Sequence, residues 1–216
     1  MKEQKQTTNY QLWLDHTLEE ISRKEIRPSL LLQACCAPCS SYVLEYLNQY
    51  FQITVYFYNP NIASREEYLK RADELVRLMR ETGADSTVKF ILADYEPEKF
   101  QALAHGKEDL PEGGARCYDC YRLRLEATAD YAKDQSFDYF STTLSVSPHK
   151  NATWINKIGE EMAKKYGVDY LYADFKKRDG YRRSVQLSKD HDLYRQDYCG
   201  CEFSRIQALK RKSEAR

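Results

Sequence analysis

The stretch Leu30-Leu31-Leu32-Gln33-Ala34-Cys35-Cys36-Ala37-Pro38-Cys39 carries the strongest signal for the fold. Its three leucines form a short apolar run that is typical of a buried strand. We expect a helix to follow, with Ser40 and Ser41 as N-cap residues and an end near Tyr50. The cysteines thus lie where a strand passes into a helix. Backbone N–H groups and the helix dipole stabilise thiolates at such a place.

Strands and helices alternate along the rest of the chain. Apolar periodicity predicts helices over about 9–22, 64–82 and 151–166, and another helix opening after Gly113-Gly114. Runs of β-branched and aromatic residues predict strands at about 53–58, 88–92, 137–143 and 170–174. This alternation indicates an α/β fold with a largely parallel sheet and helices on both faces.

Two polar segments follow strands of this predicted sheet. Sites in such sheets form beyond the carboxyl ends of the strands. The cysteines after Leu32 and the Ser147-Pro148-His149 segment after Thr143 should therefore meet at one edge.

Size and charge give general limits. The chain has 216 residues, and its 33 lysines and arginines balance 33 acidic residues. This length predicts one domain over 1–216, with the helix at about 9–22 and a basic tail at about 205–216 as peripheral elements. No run approaches the ~20 apolar residues that span a bilayer, and Met1–Tyr10 lacks the apolar core of a secretory signal. We expect a cytoplasmic protein that has no membrane contact.

The cysteines point to metal or redox chemistry. Their number is seven, which is odd, and no export signal precedes them, so a structural disulfide framework is not expected. They form three groups: Cys35, Cys36 and Cys39; Cys117 and Cys120; and Cys199 and Cys201. One structural zinc ion needs only four ligands and does not explain all three groups. An iron–sulfur cubane also uses four thiolates, and the surplus then suits a redox pair or a second metal.

The last group has an unusual spacing. A disulfide closed within Cys199-Gly200-Cys201 would be strained and easily reduced. A working redox pair or two thiolate ligands is therefore favoured over a structural bridge. In both cases we expect these sulfurs to lie near the other two groups in the folded protein.

Several blocks, in one order over nearly the whole chain, resemble the QueH-type epoxyqueuosine reductases. They are Leu31–Ser40, Tyr58-Asn59-Pro60-Asn61-Ile62, Arg116–Tyr121, Thr142-Thr143-Leu144, Ser147–Lys150, Asp174–Lys177 and Tyr194–Ser204. One departure is Gln33, where the family often carries histidine. The resemblance implies a Rossmann-like fold of the HUP type, related to PP-loop enzymes. No SGGxDS-like phosphate loop follows the first strand, so we do not expect ATP hydrolysis.

The resemblance also implies an activity. The protein would be an oxidoreductase that reduces the epoxide of epoxyqueuosine to queuosine at the wobble position of tRNA, the last step of queuosine biosynthesis. Its partners would be tRNA with a GUN anticodon and an unidentified electron donor.

The same resemblance implies residue roles. A [4Fe-4S] cluster would be held by Cys35, Cys36, Cys117 and Cys120. The Cys199 and Cys201 pair would be redox-active or would bind an additional iron, and Cys39 receives no role.

Candidate acids for the epoxide oxygen are His149, Asp174, Asp197 and Tyr198. Candidate contacts to tRNA phosphates are Lys176, Lys177, Arg178, Arg182 and Arg183.

Two other classes of protein stay open. One is a PP-loop-like enzyme that transfers sulfur to tRNA through catalytic cysteines, which would need an ATP site. The other is a zinc-stabilised RNA-binding module without enzymatic activity, which would be colourless where an iron–sulfur protein is brown.

Overall fold

The computed structural model describes residues 8–214. Its strands are β1 (Ser29–Gln33), β2 (Gln52–Phe57), β3 (Lys89–Leu92), β4 (Tyr139–Thr142) and β5 (Asp169–Tyr170). Its α-helices are α1 (Tyr10–Arg23), α2 (Ala37–Leu47), α3 (Arg65–Glu81), α4 (Pro97–Ala104), α5 (Ala115–Asp134), α6 (Ala152–Tyr166), α7 (Gly180–Asp190) and α8 (Glu202–Glu214).

The five strands form one parallel sheet in the order β3-β2-β1-β4-β5. Leu30 of β1 pairs with Ile53 of β2 on one side and with Tyr139 of β4 on the other. The strand order reverses between β1 and β4, which is the position where Rossmann-like sheets bind ligands. The predicted α/β fold is confirmed.

Each face of the sheet has its own apolar core, because successive side chains of a strand point to opposite faces. Leu30 and Leu32 belong to a cluster with residues of α1, α2 and α3. Leu31 belongs to a second cluster with residues of α5 and α6. All three leucines have 0 % of their surface exposed. The leucine run is therefore continuous because helices cover both faces.

Two predicted boundaries are wrong. Helix α2 begins at Ala37 with Cys36 as its N-cap residue, not at Ser40 or Ser41, because Pro38 is tolerated in the first turn of a helix. The predicted strand 170–174 pairs only at its start. Beyond it, the Asn156 side chain donates to the Ala173 carbonyl at 2.9 Å and accepts from the Ala173 N–H at 3.0 Å.

The sequence patterns did not predict three of the helices, which are α4, α7 and α8. The basic tail expected at about 205–216 is part of α8 up to Glu214, and Arg216 lies outside the described residues. Within residues 8–214, each helix is too short or too polar to cross a membrane.

Helix α6 lies close to β5 only because residue 159 is glycine. A Cβ atom at Gly159 would lie 2.3 Å from Cζ of Tyr170. We predict that Gly159→Ala lowers the free energy of unfolding by about 1–3 kcal/mol because of this clash. At a helix position without such a neighbour, alanine would instead be more stable than glycine by about 1 kcal/mol. Chemical denaturation measures the change. The loss should shrink in a Tyr170→Leu background, and a stabilised Gly159→Ala variant would contradict the contact.

Candidate active site lined by cysteines

The first cysteine group lies directly after β1. Cys36 is the N-cap residue of α2, and the chain bends at Cys35 after the end of β1, so that adjacent cysteines can converge. The Sγ atoms of Cys35 and Cys36 are 3.7 Å apart. Together with Cys39 Sγ they form a set in which all atoms lie within 4.8 Å of one another. Cys39, which sequence reasoning left without a role, is thus part of this group.

These three thiols share one favourable site for negative charge. Hydrogen bonds from the Cys36 and Cys39 thiols lower the pKa of Cys35 well below its usual value. The same contact with Cys35 raises the pKa of Cys36 to about 12, and it also raises the pKa of Cys39. Cys35 is therefore the thiol of this group that ionises first.

The second and third cysteine groups are neighbours. Cys120 packs with Cys201 in a buried cluster that also contains Phe100 and Ala104. Burial raises the pKa of Cys120 to about 12 and also raises the pKa of Cys201. Cys117, one turn earlier on α5, accepts a hydrogen bond from the Gly113 N–H at 3.3 Å.

The backbone of the third group is attached to α3. Arg71 Nη1 donates to the Cys199 carbonyl at 3.2 Å, and the Ala63 N–H donates to the Gly200 carbonyl at 3.1 Å. Gly200 has φ +121°, and a Cβ there would lie 3.0 Å from Arg71 Nη1. Glycine is therefore required between the two cysteines.

One cavity joins the first and third groups. It has a volume of 370 Å³, and its lining includes Cys35, Cys36, Cys39, Cys199 and the segment 147–150. Cys35 Sγ lies 3.9 Å from Oγ1 of Thr143, which follows β4. The prediction that segments after two strands meet at one edge is therefore confirmed. Cys199 lies at this cavity with the first group, and Cys201 packs with Cys120 of the second group. A larger, more open depression of 750 Å³ beside β3 has no cysteine in its lining.

Buried positive charge surrounds these thiols. Arg124 is 1 % exposed and Arg71 is 3 % exposed, and Nη2 of each lacks a hydrogen-bond partner among the described residues. Lys150 Nζ lies 3.0 Å from Cys199 Sγ. Within residues 8–214, neither Arg124 nor Lys150 forms an ion pair with a carboxylate.

The thiols take the place of the missing carboxylates. Burial lowers the pKa of Arg124, but Cys120, Cys199 and Cys35 outweigh that effect and raise it overall. Burial likewise lowers the pKa of Lys150, and Cys199 and Tyr121 raise it well above its usual value. Unpaired buried charges are costly. The donor set and these cations therefore suit an anionic group bound through thiolates, as a metal–thiolate centre is.

The predicted acids have different surroundings. His149, Asp197 and Tyr198 line the cavity, whereas Asp174 does not. Asp174 accepts from Lys176 Nζ at 2.6 Å. Asp197 is paired with Lys212, and this pairing lowers the pKa of its carboxyl group. Burial raises the pKa of Tyr198.

The predicted basic segment is largely neutralised by acidic neighbours. Besides Lys176, Arg178 pairs with Asp15 at 2.5 Å and Arg183 with Glu45 at 2.7 Å. Lys177 and Arg182 are exposed, and the part of the chain from 8 to 214 offers them no ion-pair partner. Two further arginines, Arg195 and Arg211, line the cavity and were not predicted.

Comparison with known proteins shows the family of this chain. A family model described as "Epoxyqueuosine reductase QueH" matches residues 30–207. A protein of that name from Staphylococcus aureus is 45 % identical over 96 % of this chain and 87 % of its own length. The one from Streptococcus pyogenes serotype M1 is 44 % identical over 92 % of this chain and 79 % of its own. The one from Thermotoga maritima is 34 % identical over 86 % and 95 %. The chain thus belongs to the QueH family of epoxyqueuosine reductases and is an oxidoreductase.

Proposed function

We propose that this chain reduces the epoxide of epoxyqueuosine to the alkene of queuosine at the wobble position of tRNA, using a [4Fe-4S] cluster. Family membership supports epoxyqueuosine reductase activity in queuosine biosynthesis. The observation that carries the proposal is that the buried Arg124 and the half-buried Lys150 face thiols and have no carboxylate partner within residues 8–214. A tRNA substrate also supports the cytoplasmic location that we predict.

The cluster would be held by Cys35, Cys36, Cys117 and Cys120. When bound, such a cluster supplies electrons one at a time. Cys39 lies in the same sulfur group as Cys35 and Cys36, and it is the cysteine that this ligand set leaves over beside them. A zinc-stabilised module would use four thiolates and leave the remaining three without a purpose.

Removal of the epoxide oxygen needs two electrons and two protons, and it releases water as the alkene forms. The Cys199 and Cys201 thiols can supply both electrons and both protons if they close a disulfide. Their positions beside Cys120 and at the cavity support this role or that of ligands to an additional iron. His149 and Tyr198 line the cavity and are the acid candidates that no ion pair engages among residues 8–214.

The cavity suits a nucleoside. Its 370 Å³ falls within the ordinary range of small-ligand sites. Tyr181 lines it and is 38 % exposed, so its ring is available to stack on an unstacked base. Phosphates on either side of that base would meet the basic side chains around the cavity. We assign this contact to Lys177, Arg182, Arg195 and Arg211.

Turnover tests the assignment directly. Anaerobic incubation with epoxyqueuosine-containing tRNA and a chemical reductant should convert the base to queuosine, which mass spectrometry of the digested tRNA detects as the loss of one oxygen atom. We predict that Cys36→Ser loses iron and lowers the rate by more than about 100-fold, because a ligand is lost.

Cys39→Ser is the matched comparison, since it removes a thiol of the same group without removing a proposed ligand, and it should retain iron. Wild-type protein that carries its iron but does not convert the tRNA would contradict the proposed function.

Salt dependence tests the phosphate contacts. The double variant Lys177→Gln and Arg182→Gln should bind tRNA more weakly, and the slope of log affinity against log salt should fall in magnitude by about 1–2 because two counterion-releasing contacts are lost. Arg183→Gln is the control, because Glu45 already neutralises that charge. Equal slopes for the double variant and the wild type would show that Lys177 and Arg182 face solvent and do not contact tRNA phosphates.

A further inference from the structure

A chain of buried polar side chains crosses the sheet beneath the cavity. The Thr142 hydroxyl of β4 donates to Gln33 Oε1 of β1 at 2.7 Å. Gln33 Nε2 donates to the Tyr58 carbonyl at 3.0 Å and to Asn59 Oδ1 at 3.2 Å. Asn59 Nδ2 donates to the Ala34 carbonyl at 2.8 Å. These contacts determine which way both amides point, because each side-chain oxygen faces a donor and each nitrogen faces an acceptor.

The chain ends at Arg124 on α5. Arg124 Nη1 donates to Asn59 Oδ1 at 3.3 Å, and Nε donates to the Cys120 carbonyl at 3.4 Å. Gln33, Asn59 and Arg124 are each no more than 1 % exposed. Nη2 is left without a partner among residues 8–214. The guanidinium is therefore held from one side by a neutral amide while its other side has no protein acceptor.

The neutrality of these partners has an electrostatic consequence. A carboxylate at residue 59 would neutralise the positive charge of Arg124. The neutral amide of Asn59 instead fixes the position of the guanidinium without neutralising it. The side chains whose charge acts most on Arg124 are the thiols of Cys120, Cys199 and Cys35, one from each cysteine group. In a buried site of low effective dielectric constant, such a charge acts strongly on its neighbours.

We propose that Arg124 sets the reduction potential of the iron–sulfur centre, and that Gln33 and Asn59 are positioning residues that hold its guanidinium toward the thiols. This inference rests on the cofactor in the proposed function. Adding an electron makes a thiolate-bound cluster more negative, so a fixed cation beside it stabilises the reduced state more than the oxidised one. Nearby charge and burial are among the properties that set such potentials.

A redox titration of the anaerobically prepared holoprotein, followed by electron paramagnetic resonance, tests the inference. Arg124→Met should shift the one-electron equilibrium toward the oxidised cluster at least tenfold, which lowers the potential by at least about 59 mV. Asn59→Leu keeps the charge but removes its anchor, and it should lower the potential by less. Arg122→Met is the control: it lies on the same helix, and its side chain is partly exposed and pairs with Glu161.

The outcomes separate the inference from the cofactor proposal. Iron and sulfide contents equal to wild type, with unchanged potentials in both Arg124→Met and Asn59→Leu, would overturn the inference. If Arg124→Met does not fold, Asn59→Leu decides alone, since an unchanged potential and resonance spectrum there would overturn it as well. Wild-type protein without iron and sulfide would instead contradict the cofactor itself.

Discussion

Positive charge is buried where the cysteines meet, and this constraint shapes the whole site. The charge of Arg124 acts on thiols from all three cysteine groups, and Lys150 Nζ lies 3.0 Å from Cys199 Sγ, with no described carboxylate to neutralise either cation. A cation removed from water without a partner destabilises a folded protein by several kcal/mol. Thiolates, or an anionic centre that thiolates bind, remove this cost. The protein therefore folds into a form that is prepared for negative charge before a cofactor binds.

The sheet topology brings these groups together. Reversal of the strand order between β1 and β4 opens the carboxyl edge of the sheet, and Cys35 and Thr143 meet there. Helix α5 supplies Cys117 and Cys120 from one side. The segment 199–201 supplies the last pair, and it is held by Arg71 of α3 and by Ala63 in the loop before α3. Segments far apart in sequence thus become neighbours, since Cys35 and Cys199 line one cavity and Cys120 packs with Cys201.

Much of this arrangement can be predicted from the sequence. The leucine run at 30–32, the alternation of strands and helices, and the spacing of the cysteines lead to the fold and to a meeting of the three groups. Local sequence patterns predict the end of a strand less well where a side chain takes the place of a neighbouring strand's backbone. Asn156 takes the place of a strand neighbour at Ala173, and the predicted strand ends early for that reason.

Charge was the least predictable property. A basic segment at 176–183 suggests a phosphate-binding surface, yet Lys176, Arg178 and Arg183 are paired with acids, two of which lie more than 100 residues away in the chain. Arg124 and Lys150 look like ordinary surface cations in sequence, since the burial of Arg124 and the partial burial of Lys150 depend on tertiary packing alone. Gln33 gave no sign that it bridges two strands and an asparagine.

We propose that the buried cations and the cysteines enclose an iron–sulfur centre. Diffraction data collected at the iron absorption edge, from crystals grown without oxygen, test it most directly. We expect anomalous density bounded by the sulfurs of Cys35, Cys36, Cys117 and Cys120 and adjacent to the Arg124 guanidinium. Density that appears only at the zinc edge, or iron bound away from these sulfurs, would contradict it.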